Sequence, residues 1–315
     1  MATTPLVTID TQHDEMIHDA QLDYYAKKLA TASSDRTVQV FEISGEIYNK
    51  SAVLTGHEGP VWQVAWGHPK FGVLLASCSY DGQVILHRES PPGVWTPIHT
   101  HRSHDSSVNS ISWAPHELGL ILACASSDGR VSILRHMDDD SWETTAFNTS
   151  QLGCNAVSWA PYNSLDSRDD QGVDYMRLVT GGCDNRVRIW RCRAVGGQGD
   201  QWTEEPVSVE MTPHMDWVRD VAWAPSTGMP CNVVASCSED HRVVIWTQSE
   251  AKGPWTASVM KDFGTPVWGV SWSVTGNVLA VSFGDHDVSL WKQNLAGAWE
   301  CISSVEETRQ GQADS

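Results

Sequence analysis

The run Gly56-His57-Glu58-Gly59-Pro60-Val61-Trp62-Gln63-Val64-Ala65-Trp66 recurs down the chain. Copies stand at His104 to Trp113 and His214 to Trp223, with weaker ones at Ser150 to Trp159 and Phe263 to Trp272. An N-terminal copy, His13 to Leu22, has the same spacing but ends in Leu rather than Trp. Behind each copy comes a second half such as Leu75 to His87: an apolar run, an Asp turn and another β-rich run. The turn residues are Asp35, Asp81, Asp128, Asp184, Asp240 and Asp285, spaced by 46, 47, 56, 56 and 45 residues. Self-similarity at such a period is the mark of a repeat architecture.

Each repeat reads as strands. Val61 to Trp66 alternates with a period of two. Asp81-Gly82 and Asp128-Gly129 between apolar runs are hairpin signals, because tight turns need residues that tolerate positive φ. Trp-Ala-Pro at 113–115, 159–161 and 223–225 ends a strand at a residue that cannot donate to a ladder. Fourth strands open at Trp95, Trp142, Trp202, Trp255 and Trp299. Four strands in about 45 residues, six times over, predict an all-β fold: a six-bladed β-propeller. The repeats divide the chain at roughly 11–50, 51–95, 96–142, 143–202, 203–255 and 256–305, leaving 1–10 before them and a polar tail, 306–315. Of 16 Trp, 13 fall in repeat registers, where large rings fill the space between blades. Trp62, Trp217 and Trp268 fall outside them, at the start of first strands near one rim.

Composition excludes several function classes. Against 21 Lys and Arg stand 39 Asp and Glu, a net charge of −18. That opposes direct nucleic-acid binding, which needs a basic surface, and direct adhesion to anionic lipid. Residues 1–5 carry no positive segment leading into an apolar core, so no signal peptide is expected. Apolar stretches such as 118–125 are too short to span a bilayer. The eight Cys form no C-x-x-C and no metal-ligand spacing, and read as free thiols in a reducing compartment. The chain is expected to be cytosolic or nuclear, with no cofactor and no metal.

Catalysis is not expected either. His104-Asp105-Ser106 is only adjacent in sequence, and adjacency does not make a triad. His57, His104 and His214 repeat with their turn Asp residues, which favours a structural bond from each His through a Ser to the Asp. Arg130, Arg186 and Arg242 each follow a turn Asp by two residues and would form a cationic rim for phosphopeptides if they converge. Val195-Gly196-Gly197-Gln198-Gly199-Asp200 lacks the pattern of a phosphate-binding loop.

The ends do not close the ring in the ordinary way. Ala298 to Val305 resembles the other fourth strands, so the sixth blade supplies its own outer strand. Leu6-Val7-Thr8-Ile9 is then an orphan. The pattern alone allows two endings: a gap between blades one and six that accepts strands from another chain, or a conventional closure with one terminal strand packed elsewhere.

The runs Met16 to Tyr25, Gly56 to Trp66, His104 to Ser110, Gly153 to Pro161 and Asp216 to Pro225 closely resemble the Sec-thirteen family of WD-repeat coat proteins, and the likeness extends from about residue 9 to 304. Departures from the WD pattern fall at His87 and Leu134, where Trp is common, and at Ser150, where His is common. The resemblance implies an open six-bladed ring completed in trans by a seventh blade from an α-solenoid partner. It implies a non-enzymatic scaffold shared by the outer cage of coat protein complex II and the nuclear-pore Y-shaped scaffold, and a subunit of a lysosome- or vacuole-associated complex in amino-acid (TOR) signalling. The implied locations are endoplasmic-reticulum exit sites and their vesicles, the nuclear envelope at the pore and the lysosome or vacuole surface, with only indirect membrane contact. On this reading Leu6, Val7, Ile9, Ile17, Trp268 and Val270 border the partner blade; apart from the resemblance, Trp62 and Trp217 are candidate partner contacts on the top rim, and Arg130, Arg186 and Arg242 there carry the alternative reading of a phosphopeptide-binding adaptor.

Overall fold

The computed structural model describes residues 8–168, 171–193, 201–205, 214–226, 231–285 and 287–305. These form six four-stranded antiparallel sheets, each in simple chain order. Blade 1 holds β1 (Ile17–Leu22), β2 (Lys28–Ser33), β3 (Val38–Ser44) and β4 (Ile47–Leu54); blade 2 holds β5 (Val61–Trp66), β6 (Leu74–Ser79), β7 (Val84–Glu89) and β8 (Trp95–His101). Blade 3 holds β9 (Val108–Trp113), β10 (Ile121–Ser126), β11 (Arg130–His136) and β12 (Trp142–Asn148). Blade 4 holds β13 (Cys154–Trp159), β14 (Tyr175–Gly182), β15 (Val187–Arg193) and a two-residue β16 (Thr203–Glu204). Blade 5 holds β17 (Val218–Trp223), β18 (Asn232–Ser238), β19 (Arg242–Gln248) and β20 (Thr256–Asp262), and blade 6 holds β21 (Val267–Trp272), β22 (Val278–Phe283), β23 (Asp287–Gln293) and β24 (Trp299–Val305). This is the expected six-bladed propeller. Of the expected repeat divisions, 50 falls inside β4, 95 and 142 on the first residues of β8 and β12, and 202 and 255 one residue before β16 and β20, so each blade ends two to seven residues later. Leu6, Val7, the Gly-rich stretch 195–200 and the tail 306–315 lie outside the described residues.

The turn chemistry is visible at Gly129, which has φ +82°, and a Cβ there would sit 1.9 Å from the Ser150 carbonyl oxygen. Only glycine fits where the loop to blade 4 crosses the hairpin. By contrast Gly45, at φ +63°, has no neighbour within 4 Å of a Cβ.

Because each strand alternates its side chains between two faces, every blade presents two apolar faces and must cover both. Five cores do this. Ala30, Ala32, Val38 and Val40 of blade 1 meet Val61, Val64 and Leu75 of blade 2. Equivalent clusters join blades 2 and 3, 3 and 4, 4 and 5, and 5 and 6. Among the described residues no such cluster joins blade 6 to blade 1.

The free thiols of Cys78, Cys124, Cys154, Cys192 and Cys237 are buried within these cores. At Leu134, where the repeat favours Trp, the smaller side chain is fully buried between blades 2 and 3. Gly129→Ala is expected to destabilise the chain by about 3 kcal/mol or more, and Gly45→Ala by about 1 kcal/mol. Urea unfolding of the two variants beside the parent measures the contrast, and equal effects would refute the close-approach argument.

Candidate partner interface

Four of the six repeats carry the same buried network. His57 has Nδ1 3.2 Å from Asp81 and Nε2 2.9 Å from the Ser77 hydroxyl. His104 does the same with Asp128 (2.9 Å) and Ser132 (2.8 Å), His214 with Asp240 (3.0 Å) and Ser236 (2.8 Å), and His13 with Asp35 (2.6 Å) and Thr31 (2.8 Å). The His therefore bridges the Asp and the hydroxyl directly; contrary to the expectation from sequence, no Ser stands between His and Asp. In blade 5 the Trp246 indole also donates to Ser236, at 2.9 Å. Where Ser150 replaces His, Arg188 takes over Asp184 with two bonds, 3.1 and 2.6 Å. In blade 6, Phe263 stands at that position and packs on Phe283 and Trp291 instead. The arrangement resembles a hydrolytic triad, but Ser77, Ser132 and Ser236 are buried beneath the ring that would activate them. Burial pushes the carboxyls of Asp81 and Asp128 up, yet bonds from His57 or His104 and from neighbouring donors outweigh it and hold both at about 2.

A second network runs from blade to blade at the channel. In β1, β5, β9 and β17 the third residue reaches across to a backbone N–H of the next blade. Val64 N–H donates to Asp19 (3.1 Å), Ile111 N–H to Gln63 (2.6 Å), Val157 N–H to Ser110 (3.3 Å) and Val270 N–H to Asp220 (3.0 Å). Blade 4 has Ala156 at that place, and Ser158 substitutes by accepting from Trp223 N–H at 3.1 Å. In the opposite direction the Trp that ends a first strand donates its indole N–H back to the preceding blade. Trp66 donates to Gln21 O (2.9 Å), Trp113 to Ala65 O (3.0 Å), Trp159 to Ser112 O (2.9 Å) and Trp272 to Ala222 O (3.0 Å).

Among the described residues both devices are missing where blade 6 meets blade 1. The third residue of β21 is Gly269, with no side chain to reach forward, and the last residue of β1 is Leu22, with no indole to reach back. The central cavity, about 540 Å³, is lined elsewhere by first strands but at this seam extends to Ala280, Ser282 and Val288. Register places Val288 and Leu290 on the face of blade 6 opposite Trp291, which packs on blade 5. Val288 is 36% exposed, and on the blade 1 side Ile17 is 41% and Leu22 54% exposed. Gln39 and Phe41, also turned away from the blade 1–2 core, are buried.

Several expected site residues move on this geometry. Ile17 and Trp268 border the seam, Trp268 being 47% exposed and lining the cavity. Val270 does not: it is buried in the core shared with blade 5, because a bulge between Val267 and Gly269 sets its face. Ile9 is described and belongs to no strand. The seam is walled by sheet faces rather than strand edges. Leu22, Gly269, Val288 and Leu290 were missed, although Leu22 was already visible as the one copy that breaks the Trp rule.

The top rim is only partly assembled as expected. Trp62 is half-buried, donates to Ser107 Oγ at 2.9 Å and meets His18 edge-on. Trp217 is 45% exposed, with the Arg219 guanidinium 5.2 Å from it and 5.5 Å from Trp268. Arg130 does not offer a free cation: Asp128 and Asp105 both hold its guanidinium at 2.8 Å. Arg242 lies 4.0 Å from Asp262, and Arg186 is exposed.

A ring of blades built on this His–Asp–hydroxyl network defines a WD-repeat propeller, and the comparisons agree. The model described as "WD domain, G-beta repeat" matches residues 48–88, 143–191, 205–247 and 258–292, and "Anaphase-promoting complex subunit 4 WD40 domain" matches 72–161. Protein transport protein SEC13 of Yarrowia lipolytica is 48% identical over 309 residues, 96% of this chain and 100% of that protein. The SEC13 homolog of Homo sapiens is 50% identical over 305 residues (95% and 92%), and that of Drosophila melanogaster 48% over 301 (93% and 82%). The chain belongs to the SEC13 family of WD-repeat proteins.

Two of the latches are carboxylates. Burial pushes Asp19 up to about 6 and Asp220 up to about 7 despite the backbone N–H groups they accept from. A raised folded-state pKa favours the protonated protein, so their contribution is full below about pH 4 and falls as pH rises toward 7. Asp220→Asn is therefore expected to gain about 2 kcal/mol relative to the parent between pH 5 and pH 8. Urea unfolding at the two pH values checks it, and a difference that does not change with pH overturns it.

Proposed function

We propose that the chain is a non-enzymatic scaffold subunit for protein transport, acting as the acceptor of a blade inserted by an α-solenoid partner. The observation that carries this is the seam between blades 6 and 1, which has no core among the described residues and neither kind of latch that ties the other junctions. A sheet inserted there would face Val288 and Leu290 on one side and Ile17 and Leu22 on the other. It would bury apolar area on both of its faces, as an obligate interface does. Relatives covering nearly the whole chain carry protein-transport names, which supports the setting. The partner is read as the α-solenoid subunit of the coat protein complex II outer cage, in traffic from endoplasmic reticulum to Golgi.

The same acceptor site serves the α-solenoid subunit of the nuclear-pore scaffold and a nutrient-signalling complex in this reading. Membrane contact is then indirect, through the partner, in keeping with the charge of −18. The phosphopeptide alternative has no observation in its favour, since Arg130 is already neutralised by two carboxylates.

Co-expression with the α-solenoid coat subunit tests the proposal. Val288→Arg with Leu290→Arg is expected to abolish co-purification while the far-ultraviolet circular dichroism of the free chain stays unchanged. Arg186→Glu with Arg242→Glu should leave assembly intact. If the double Arg variant still co-purified, or the rim variant alone lost the partner, the seam would not be the acceptor.

A further inference from the structure

We propose that Trp268 selects the inserted neighbour of blade 6, and that the partner's innermost strand lays a basic side chain, Arg or Lys, on its exposed indole at the channel mouth. The inference rests on the blade-insertion reading and adds the residue type that the partner must carry at that place.

The second residue of each first strand carries it. These residues are His18, Trp62, Asn109, Asn155, Arg219 and Trp268, and the first five each touch the next blade. The His18 ring meets Trp62 edge-on with centroids 4.5 Å apart, and Trp62 Nε1–H donates to Ser107 Oγ at 2.9 Å. Asn109 Nδ2–H donates to Cys154 O and Asn155 Nδ2–H to Val218 O, both at 3.0 Å. The Arg219 guanidinium lies 5.5 Å from the Trp268 ring centroid. Trp268 breaks the series. Among the described residues it makes no hydrogen bond or ring contact to blade 1, and its indole N–H turns back to Gly284 O in its own blade at 2.8 Å. What it offers a neighbour is therefore aromatic surface, with 47% of the residue exposed, and no hydrogen-bond donor.

The surroundings select a cation. An indole face attracts positive charge, and Trp268 already takes one guanidinium in this way from blade 5. The cavity that Trp268 lines also holds the carboxylates of Asp19 and Asp220, and the charge of Asp19 helps to raise the pKa of Asp220, so a cation entering there relieves a repulsion. Arg219 is the only Lys or Arg among the described residues that line this cavity, and Glu239 already neutralises it. It therefore neither satisfies the two carboxylates nor repels a second cation. On the blade 1 bank, burial lowers the pKa of His18, so the ring there is neutral near pH 7 and does not oppose a basic side chain. The chain's charge of −18 favours such a partner at longer range.

Charge variants of the full chain, each paired with the α-solenoid coat subunit in an affinity measurement, test this. Trp268→Lys is expected to weaken association about thirtyfold or more, and Trp268→Glu, which meets the cation with a carboxylate in place of a ring, by less than tenfold. Trp217→Lys places the same charge on the neighbouring blade 5 and should change the affinity less than threefold. Unchanged far-ultraviolet circular dichroism of each free variant separates a lost contact from a lost fold. If Trp268→Glu weakens association as much as Trp268→Lys, or neither weakens it, the basic contact is overturned and blade insertion stands. A loss for Trp217→Lys as large as that for Trp268→Lys overturns the assignment to Trp268. If no complex forms even with the unaltered chain, blade insertion fails and this contact with it.

Discussion

A sheet that stands radially around a channel has two faces, and each must be covered by a neighbour. This requirement organises the molecule. At five junctions a continuous apolar core meets it, and a polar residue of the first strand reaches forward to the next blade. At four of them an indole also reaches back, and together these bonds fix the spacing of the first strands. The latches cost little apolar area because they lie at the channel wall, where a backbone N–H has no strand partner. They convert a stack of similar sheets into a ring of defined register.

At the sixth junction no apolar core among the described residues meets the requirement. Gly269 and Leu22 remove the forward and backward latches together, and Val288, Ile17 and Leu22 remain exposed. Exposed apolar groups on facing sheets, open to the channel, suit a packed sheet better than a surface peptide. The polar machinery of the blades has a different task. The His–Asp–hydroxyl bonds pin each first-strand loop to its own hairpin, and their variation in blades 4 and 6 shows that the loop needs an anchor more than it needs histidine.

Protonation acts on these two sets in opposite directions. The low pKa of Asp81 and Asp128 contributes stability above about pH 4 that is lost as pH falls toward 2. His87 and His101, lowered to about 4 by burial, add stability that is lost as pH falls from above 6.5 toward 4. Asp19 and Asp220 contribute most at low pH and less as pH rises toward 7.

The sequence by itself determined the repeat, the six blades, the strand order and the place of nearly every Trp, because strand alternation, Asp-Gly turns and the His-to-Trp interval are local patterns. It also held the sign of the seam in Leu22, where the Trp rule fails. Only the tertiary structure decided which face each residue serves. The bulge in β21 turns Val270 into the blade 5 core, the close approach of Asp105 and Asp128 takes Arg130 out of a cationic rim, and the face opposite Trp291 leaves Val288 and Leu290 at the seam. Such choices depend on which sheet lies beside which, and no local spacing encodes that.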